Sequence, residues 1–108
     1  MIEGRWVIEG AEMGGAPMPM NELSGSVMVI SGDRYDVSGV DKGRLVAHGG
    51  DRWDVIGEEG PNAGKTMPAR FRLAGGKLEG VYGMDGSVPA GFDTAGCANT
   101  LKIVFRPG

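Results

Sequence analysis

The segment Gly4-Arg5-Trp6-Val7-Ile8 begins the first strand-like stretch of the chain, which runs over residues 5–13. Trp6 and Ile8 lie two residues apart, so both side chains fall on one face of an extended strand. Residues 14–19 cannot continue this strand, because glycine favours turns and proline lacks the N–H that a sheet requires. Near the other end of the chain, Arg106 closes a second alternating stretch that starts at residue 100. The sequence therefore predicts a β-strand at each end.

The same period of two recurs between these ends. It is clearest over residues 66–73, where Met67 and Phe71 share one face and Arg70 and Arg72 share the other. Pro68 in this stretch predicts a bulge or a locally unpaired edge. Residues 21–23 could form one helical turn, but no helix is long enough for a parallel crossover. The predicted strands cover residues 5–13, 26–31, 34–38, 44–48, 52–56, 66–73, 78–84 and 100–106.

These strands predict one all-β domain over residues 1–108 with about eight antiparallel strands. The 21 glycines punctuate apolar segments, which is typical of a chain with many tight turns. Two architectures fit: a sandwich and an up-and-down barrel. Closure into a barrel removes the exposed sheet edges that a sandwich has to protect, and this favours the barrel.

The chain ends also resemble those of lipocalin-like barrels, which carry Gly-x-Trp in the first strand and Arg in the last. Here these are Gly4, Trp6 and Arg106. The resemblance implies that the first strand closes on the last and that these three residues form a structural plug at one end of the barrel. It also implies that the Arg106 guanidinium stacks across the Trp6 ring.

A closer resemblance extends along nearly the whole chain. Its motifs are Gly4-Arg5-Trp6-Val7-Ile8, Pro17-Met18-Pro19, Glu22-Leu23-Ser24-Gly25, Gly32-Asp33-Arg34-Tyr35, Gly60-Pro61-Asn62-Ala63-Gly64-Lys65-Thr66, Leu78-Glu79-Gly80-Val81-Tyr82 and Pro89-Ala90-Gly91-Phe92. Together they are similar to a small bacterial family of lipocalin-like, calycin-type barrel domains. The family implies a fold and no catalytic residues. Val88 and Arg72 depart from it, standing where an arginine and an acidic residue are usual.

Charge and composition restrict the classes of partner that the protein could bind and indicate the cellular compartment in which it works. The net charge is −3 with both signs scattered, which argues against a nucleic-acid or anionic-membrane partner. No stretch reaches the roughly 20 apolar residues of a membrane span. Cys97 is the single cysteine and fits a reducing compartment. We expect a cytoplasmic protein, or an exported one whose signal peptide has been removed.

Residues 60–66 look like a phosphate-binding loop, but three residues separate the glycines where the P-loop motif needs four. The segment also precedes a strand, so no helix N-terminus could hold phosphate. We interpret it as a tight hairpin loop in which Gly64 has a positive φ.

No residue constellation predicts catalysis, a metal site or a cofactor. His48 is the only histidine, and one histidine with one cysteine cannot make a usual zinc site. We interpret His48 as a rim or surface residue. The acidic run of Asp51, Asp54, Glu58 and Glu59 could in principle do acid–base chemistry. A solvated turn face is the favoured interpretation, and we do not expect an enzyme.

Two functions fit a small barrel. In the first, the lumen binds a small hydrophobic molecule with at most one or two polar anchors. In the second, side chains fill the lumen and the chain is a protein-interaction or protease-inhibitor-like module. Its contact surfaces would be residues 14–20 and 85–99, and the sequence does not identify the partner. Phe92 either caps the barrel or lies outside it. The candidate ligand-binding residues are Ile30, Tyr35, Trp53, Met67, Phe71, Tyr82 and Phe105.

The wider inward-facing set of the predicted barrel is almost entirely apolar. Its polar atoms are two phenol hydroxyls, and no set of polar anchors converges in it. Its members are Trp6, Ile8, Met28, Ile30, Tyr35, Trp53, Val55, Met67, Phe71, Leu73, Leu78, Tyr82, Leu101, Ile103 and Phe105.

Overall fold

The computed structural model describes residues 2–18, 25–39 and 41–108. The predicted helical turn at residues 21–23 lies outside them. Within this part of the chain there is no helix long and apolar enough to cross a membrane. The strands are β1 (Gly4–Met13), β2 (Ala16–Pro17), β3 (Val27–Ser31), β4 (Arg34–Val37), β5 (Asp41–Gly49), β6 (Arg52–Glu59), β7 (Thr66–Ala74), β8 (Lys77–Gly83) and β9 (Thr100–Pro107).

Eight of these strands close into an antiparallel barrel, which confirms the predicted fold. The sheet runs β1-β3-β4-β5-β6-β7-β8-β9, and β9 pairs with β1 to complete the ring. At this seam Trp6 lies opposite Pro107 and Met13 lies opposite Leu101. The short strand β2 was not predicted. It pairs with the end of β1 outside the ring.

Alternation places one apolar face of each strand inside the barrel. The predicted inward set is largely right, but Leu73 is wrong: it is 50% exposed. Leu73 lies at the end of β7, beside the turn into β8, where the strand has left the packed interior. The prediction also missed three members of the core: Ile2 and Leu45, which are each 4% exposed, and Ala69, which is fully buried. The buried core cluster comprises Ile2, Trp6, Ile8, Met28, Ile30, Tyr35, Leu45, Val55, Met67, Ala69, Phe71, Leu78, Tyr82 and Phe105.

Pro68 lies where the sheet can accept a residue without an N–H. It is opposite Asp54 on β6 in a regular register. The pairing of β7 with β8 begins only at Ala69, so Pro68 has no described partner on that side. The predicted unpaired edge is therefore present, without a bulge at this position.

Trp6 lies in the buried core cluster and has a different partner from the one expected. Its side chain is buried, and the indole Nε1–H donates to the Ile2 carbonyl at 3.0 Å. Arg106 is exposed and pairs in register with Val7, so its side chain leaves the barrel on the opposite face from Phe105. Among the described residues, the cation–π contact joins Arg72 and Phe92, and none joins Arg106 and Trp6. The described partner of the Trp6 side chain is therefore the Ile2 carbonyl and not Arg106.

The segment of residues 84–99 lies over the outer face of β7 and β8. Arg70, on that outer face, donates from Nε to the Pro89 carbonyl at 2.6 Å. The Arg72 guanidinium lies 4.2 Å from the centre of the Phe92 ring, which places Phe92 outside the barrel. Val81 faces the same side and is fully buried. This segment therefore forms a small second layer outside the barrel.

Candidate functional site

The lumen contains a cavity of about 170 Å³. Its wall is mostly apolar, and no lysine, arginine or histidine contributes to it. The lining residues are Ile8, Met28, Tyr35, Val37, Asp41, Leu45, Val55, Asn62, Met67, Phe71, Tyr82, Met84, Leu101, Ile103 and Phe105.

Most of the candidate ligand-binding residues meet at this cavity. Five of the seven line it: Tyr35, Met67, Phe71, Tyr82 and Phe105. The other two lie elsewhere in the core. Ile30 is 2% exposed and packed within the core cluster. Trp53 is half-buried and meets the Phe71 ring edge-on, with the centroids 6.3 Å apart. Trp53 therefore lies one side chain away from the cavity wall.

The aromatic part of the wall depends on a glycine. Phe71 and Tyr82 pack edge to face, with ring centroids 5.7 Å apart. Gly80 lies opposite Phe71 in the sheet, and a Cβ there would stand 2.8 Å from both the Phe71 ring and the Tyr82 hydroxyl. Because glycine has no side chain, the two rings can lie against the strand backbone.

Polar groups converge in the same cavity, which the sequence analysis did not anticipate. The Asn62 amide donates from Nδ2 to Asp41 Oδ2 at 3.0 Å. The second oxygen of this carboxylate, Asp41 Oδ1, is buried without a hydrogen-bond partner in the described part of the chain. The hydroxyl of Tyr35, a residue only 6% exposed, is buried as well, and it has no hydrogen-bond partner among the described residues beyond the Asp41 carboxylate. All three residues line the cavity. The lumen is therefore apolar with a polar patch made by Tyr35, Asp41 and Asn62.

Two inward-facing glycines admit this polar patch. A Cβ on Gly43 would lie 2.0 Å from the Ile56 carbonyl oxygen and 2.9 Å from the Tyr35 hydroxyl. A Cβ on Gly57 would lie 1.9 Å from the Asn62 carbonyl oxygen. The absence of these side chains lets the Tyr35 ring lie across β5 and lets the loop bring Asn62 over the end of β6.

The sequence did carry a signal for Asp41. Because β5 begins at Asp41 and not at residue 44, Asp41, Gly43 and Leu45 alternate on the inner face. Asn62 carried no such signal, since it lies in the loop after β6 and its position depends on how that loop folds.

The loop of residues 60–65 has the predicted hairpin form. Gly64 has a φ of 81°, and its N–H donates to the Gly57 carbonyl at 2.9 Å. The Gly57 N–H in turn donates to the Lys65 carbonyl at 2.9 Å. The backbone N–H groups of Gly57 and Gly64 are therefore committed to the loop itself.

Burial and charge both act on the tyrosines of the lumen. Burial, followed by the negative charge of Asp41 and by a side-chain hydrogen bond with the same carboxylate, raises the pKa of Tyr35 to about 12. Burial also raises the pKa of Tyr82, with smaller contributions from Tyr35 and Asp41. Both hydroxyls are therefore protonated at neutral pH and can donate hydrogen bonds.

The cavity reaches the surface beside Met84. This side chain is 43% exposed and also lines the cavity. Val37 and Leu101 line it as well and are only partly buried. A small molecule could therefore enter between these side chains without opening the barrel seam.

His48 and the acidic run lie outside the lumen in surface ion pairs. His48 Nε2 is 2.9 Å from Asp54 Oδ2. Burial alone would raise the pKa of Asp54, but hydrogen bonds from His48 and Arg52 lower it below its usual value. Asp51 pairs with Arg70 at 2.7 Å, and Glu58 accepts hydrogen bonds from two arginines. These contacts fit a structural role on the surface.

Within residues 2–18, 25–39 and 41–108, no group of three or more His, Cys, Asp or Glu side chains is placed to hold a metal ion. The comparisons with known proteins add no relative: no protein-family model, curated protein or solved structure matches the chain.

Proposed function

We propose that this protein binds a small, largely apolar molecule in the lumen of its barrel. The observation that supports this most directly is the cavity of about 170 Å³ with a mostly apolar wall. Well-packed interiors leave few voids larger than a water molecule. Removing side chains from a packed core costs stability in proportion to the void left behind, so an open lumen is an expensive feature for a chain of this size. Binding a ligand is a use that offsets it.

The volume sets the size of the ligand. An apolar cavity of about 150 Å³ in another protein binds benzene. A cavity of about 170 Å³ therefore suits a molecule with one small ring or a short alkyl chain. It is smaller than the ~300–1,000 Å³ of usual drug-sized pockets. Long fatty acids and large chromophores would not fit without a rearrangement of the core.

The lipocalin-like resemblance of the sequence is consistent with this proposal. Lipocalins hold small ligands in eight-stranded barrels. We therefore propose that the chain is a lipocalin-like binding protein related to the small bacterial family described above.

The protein-interaction alternative rests on a different surface. Val88 is 49% exposed within the segment of residues 84–99, and Met84 beside it is 43% exposed. These side chains could contact a protein partner. Met84 also lines the cavity, so its exposure supports ligand entry as well. The cavity favours the binding proposal, because a lumen filled by side chains is the premise of the alternative.

Fluorobenzene followed by fluorine NMR tests the lumen directly. We expect saturable binding to the native protein and a rise in its melting temperature. Val55→Phe puts a ring into the cavity from a wall position that is 4% exposed, and we expect it to abolish binding. Val46→Phe adds the same ring at a 37% exposed position on the same hairpin and should leave binding unchanged. Absence of binding to the native protein, or equal binding to both variants, would contradict the proposal.

A further inference from the structure

The polar patch of the lumen is built for a particular chemical group. Asp41 Oδ1 and the Tyr35 hydroxyl are both buried and both line the cavity. Asp41 Oδ1 has no hydrogen-bond partner among the described residues, and the Tyr35 hydroxyl has none there beyond the Asp41 carboxylate. Buried polar atoms are almost always paired in native proteins. A carboxylate can accept more hydrogen bonds than Asn62 and Tyr35 supply, and a hydroxyl that donates can still accept, so this unused capacity facing the cavity indicates a place for a ligand atom. An ionised carboxylate only accepts hydrogen bonds. The ligand atom beside it must therefore be a donor.

The charges around Asp41 indicate which kind of donor the ligand carries. In the part of the chain that the structure describes, no lysine or arginine forms an ion pair with Asp41, and Lys42 beside it lies 4.0 Å from Asp36 instead. No cationic side chain lines the cavity. The Asn62 amide, which donates to Asp41 Oδ2, is neutral. A carboxylate in a largely apolar site favours a cation strongly, because water screens it poorly there.

The Tyr35 ring adds to this preference. Its hydroxyl can accept a hydrogen bond from the same ligand group that donates to Asp41. The π face of a tyrosine also attracts cations. Both effects favour a cationic ligand group, as the carboxylate does.

We propose that the ligand of the lumen is a small apolar amine, whose ammonium group binds Asp41 Oδ1 and the Tyr35 hydroxyl while its hydrocarbon part occupies the apolar remainder of the cavity. This inference rests on the proposed function of the lumen. It adds a chemical class to it: one small ring or short chain that ends in a primary ammonium.

Four probes of one size separate the possibilities. They are benzylamine, benzyl alcohol, toluene and benzoate, each measured by calorimetry and by thermal shift. We expect benzylamine to bind about tenfold or more tightly than toluene, since charged hydrogen bonds are the stronger ones. Benzoate should not bind, because its charge has the sign of Asp41. Benzyl alcohol at the affinity of benzylamine would overturn the requirement for a cation.

Asp41→Asn removes the charge and keeps the shape. We expect it to weaken benzylamine about tenfold and to leave toluene unchanged. Tyr35→Phe provides a second variant and should weaken benzylamine severalfold, again without an effect on toluene. Glu59→Gln is the control, since it removes a carboxylate from an exposed position opposite Lys42. It should bind benzylamine like the native protein.

The outcomes separate this inference from the function it rests on. If toluene binds and benzylamine binds no more tightly, the amine is wrong and the lumen function stands. If Asp41→Asn binds benzylamine like the native protein, the assignment of the carboxylate is wrong. If none of the four probes binds, both proposals fail.

Discussion

Gly43, Gly57 and Gly80 lie on the inner face of the barrel at the points where other groups cross the backbone. At each of them, an added Cβ would stand within 3 Å of an aromatic ring, a hydroxyl or a carbonyl oxygen. The large residues of the lumen wall are visible as an apolar alternation. The glycines that make room for them are equally necessary, because they decide where Tyr35, Asn62 and Phe71 can lie.

Gly43→Ala tests this role. The new methyl group would clash with the Ile56 carbonyl oxygen at 2.0 Å and with the Tyr35 ring at 2.8 Å. Both neighbours lie within the sheet and cannot move freely. We expect the free energy of unfolding, measured by urea denaturation, to fall by about 2–4 kcal/mol.

Gly10→Ala is the matched control for Gly43→Ala. Gly10 also lies in a strand, but nothing stands within 4 Å of its added Cβ. Its substitution should change stability by less than about 1 kcal/mol. Equal effects of the two substitutions would mean that close packing at Gly43 is not what the barrel requires.

At the scale of elements, the segment of residues 84–99 matters more than its lack of regular structure suggests. Two hydrogen bonds from the middle of the segment hold it to β7 and to the turn between β1 and β2. Arg70 donates to the Pro89 carbonyl, and the fully buried Thr94 accepts from the Gly15 N–H at 2.9 Å. Val81, paired with Arg70 on the outer face of β8, is fully buried. Met84, the first residue of the segment, is 43% exposed and lines the cavity.

Arg70→Gln should release this segment. Arg70 also pairs with Asp51 at 2.7 Å, so its removal leaves a buried carbonyl and a carboxylate without their partner. We expect a loss of about 1–3 kcal/mol in the free energy of unfolding and faster amide exchange at Val81. Proteolysis within residues 84–99 should increase. Arg34→Gln, at a 60% exposed side chain that pairs with Glu58, should cost less than about 1 kcal/mol and leave Val81 protected.

At the scale of the whole molecule, an eight-stranded ring encloses a lumen in which two tyrosines are held in the neutral form. Tyr35 and Tyr82 both lie in the core cluster and both line the cavity. Ionisation of either would place a negative charge in an apolar interior that already contains Asp41. The stability of the barrel therefore depends on pH in the alkaline range.

Because the fold raises the pKa values of both tyrosines, its stability falls as the pH rises in the alkaline range. The pKa of an unfolded tyrosine is about 10, and that of Tyr35 in the fold is about 12. The stabilisation from the neutral tyrosines is therefore complete below about pH 10 and is lost as the pH rises towards 12. We expect urea midpoints to fall across this range.

Ultraviolet absorbance of tyrosinate checks the assignment. It should appear near pH 10 in the denatured chain and near 12 for Tyr35 in the folded protein. Titration of both tyrosines near pH 10 before any unfolding would contradict burial of their hydroxyls.

The sequence predicts the barrel well because a barrel strand records its two faces in a period of two. Residues 66–73 and 100–106 show this directly, and their apolar faces lie inward in the structure apart from Leu73. The same alternation extends to Asp41, but the predicted strand began at residue 44 and so excluded it. What the rule cannot show is the path of a loop. Asn62 and Phe92 both lie in such segments, where contacts between distant residues decide the position.

The expected stacking of Arg106 on Trp6 shows a second limit. A motif names the residues at the end of a barrel, but the register of β1 against β9 decides which face each side chain takes. Here Phe105 takes the inner face and Arg106 the outer one.

The seam between β1 and β9 also bears on how the barrel folds. From β3 to β8, each pair of neighbouring strands is consecutive along the chain and joined by a short connection, so it can form as a local hairpin. Residues 84–99 separate β8 from β9. The seam joins residues from the two ends, such as Trp6 and Pro107. Forming the contacts of the seam costs the most loop-closure entropy, because their residues are farthest apart in the chain. These contacts stabilise the fold only after the intervening strands have ordered. We therefore expect the ring to fold as an open sheet and to close last, when the N-terminal strand pairs with β9 after the hairpins have formed.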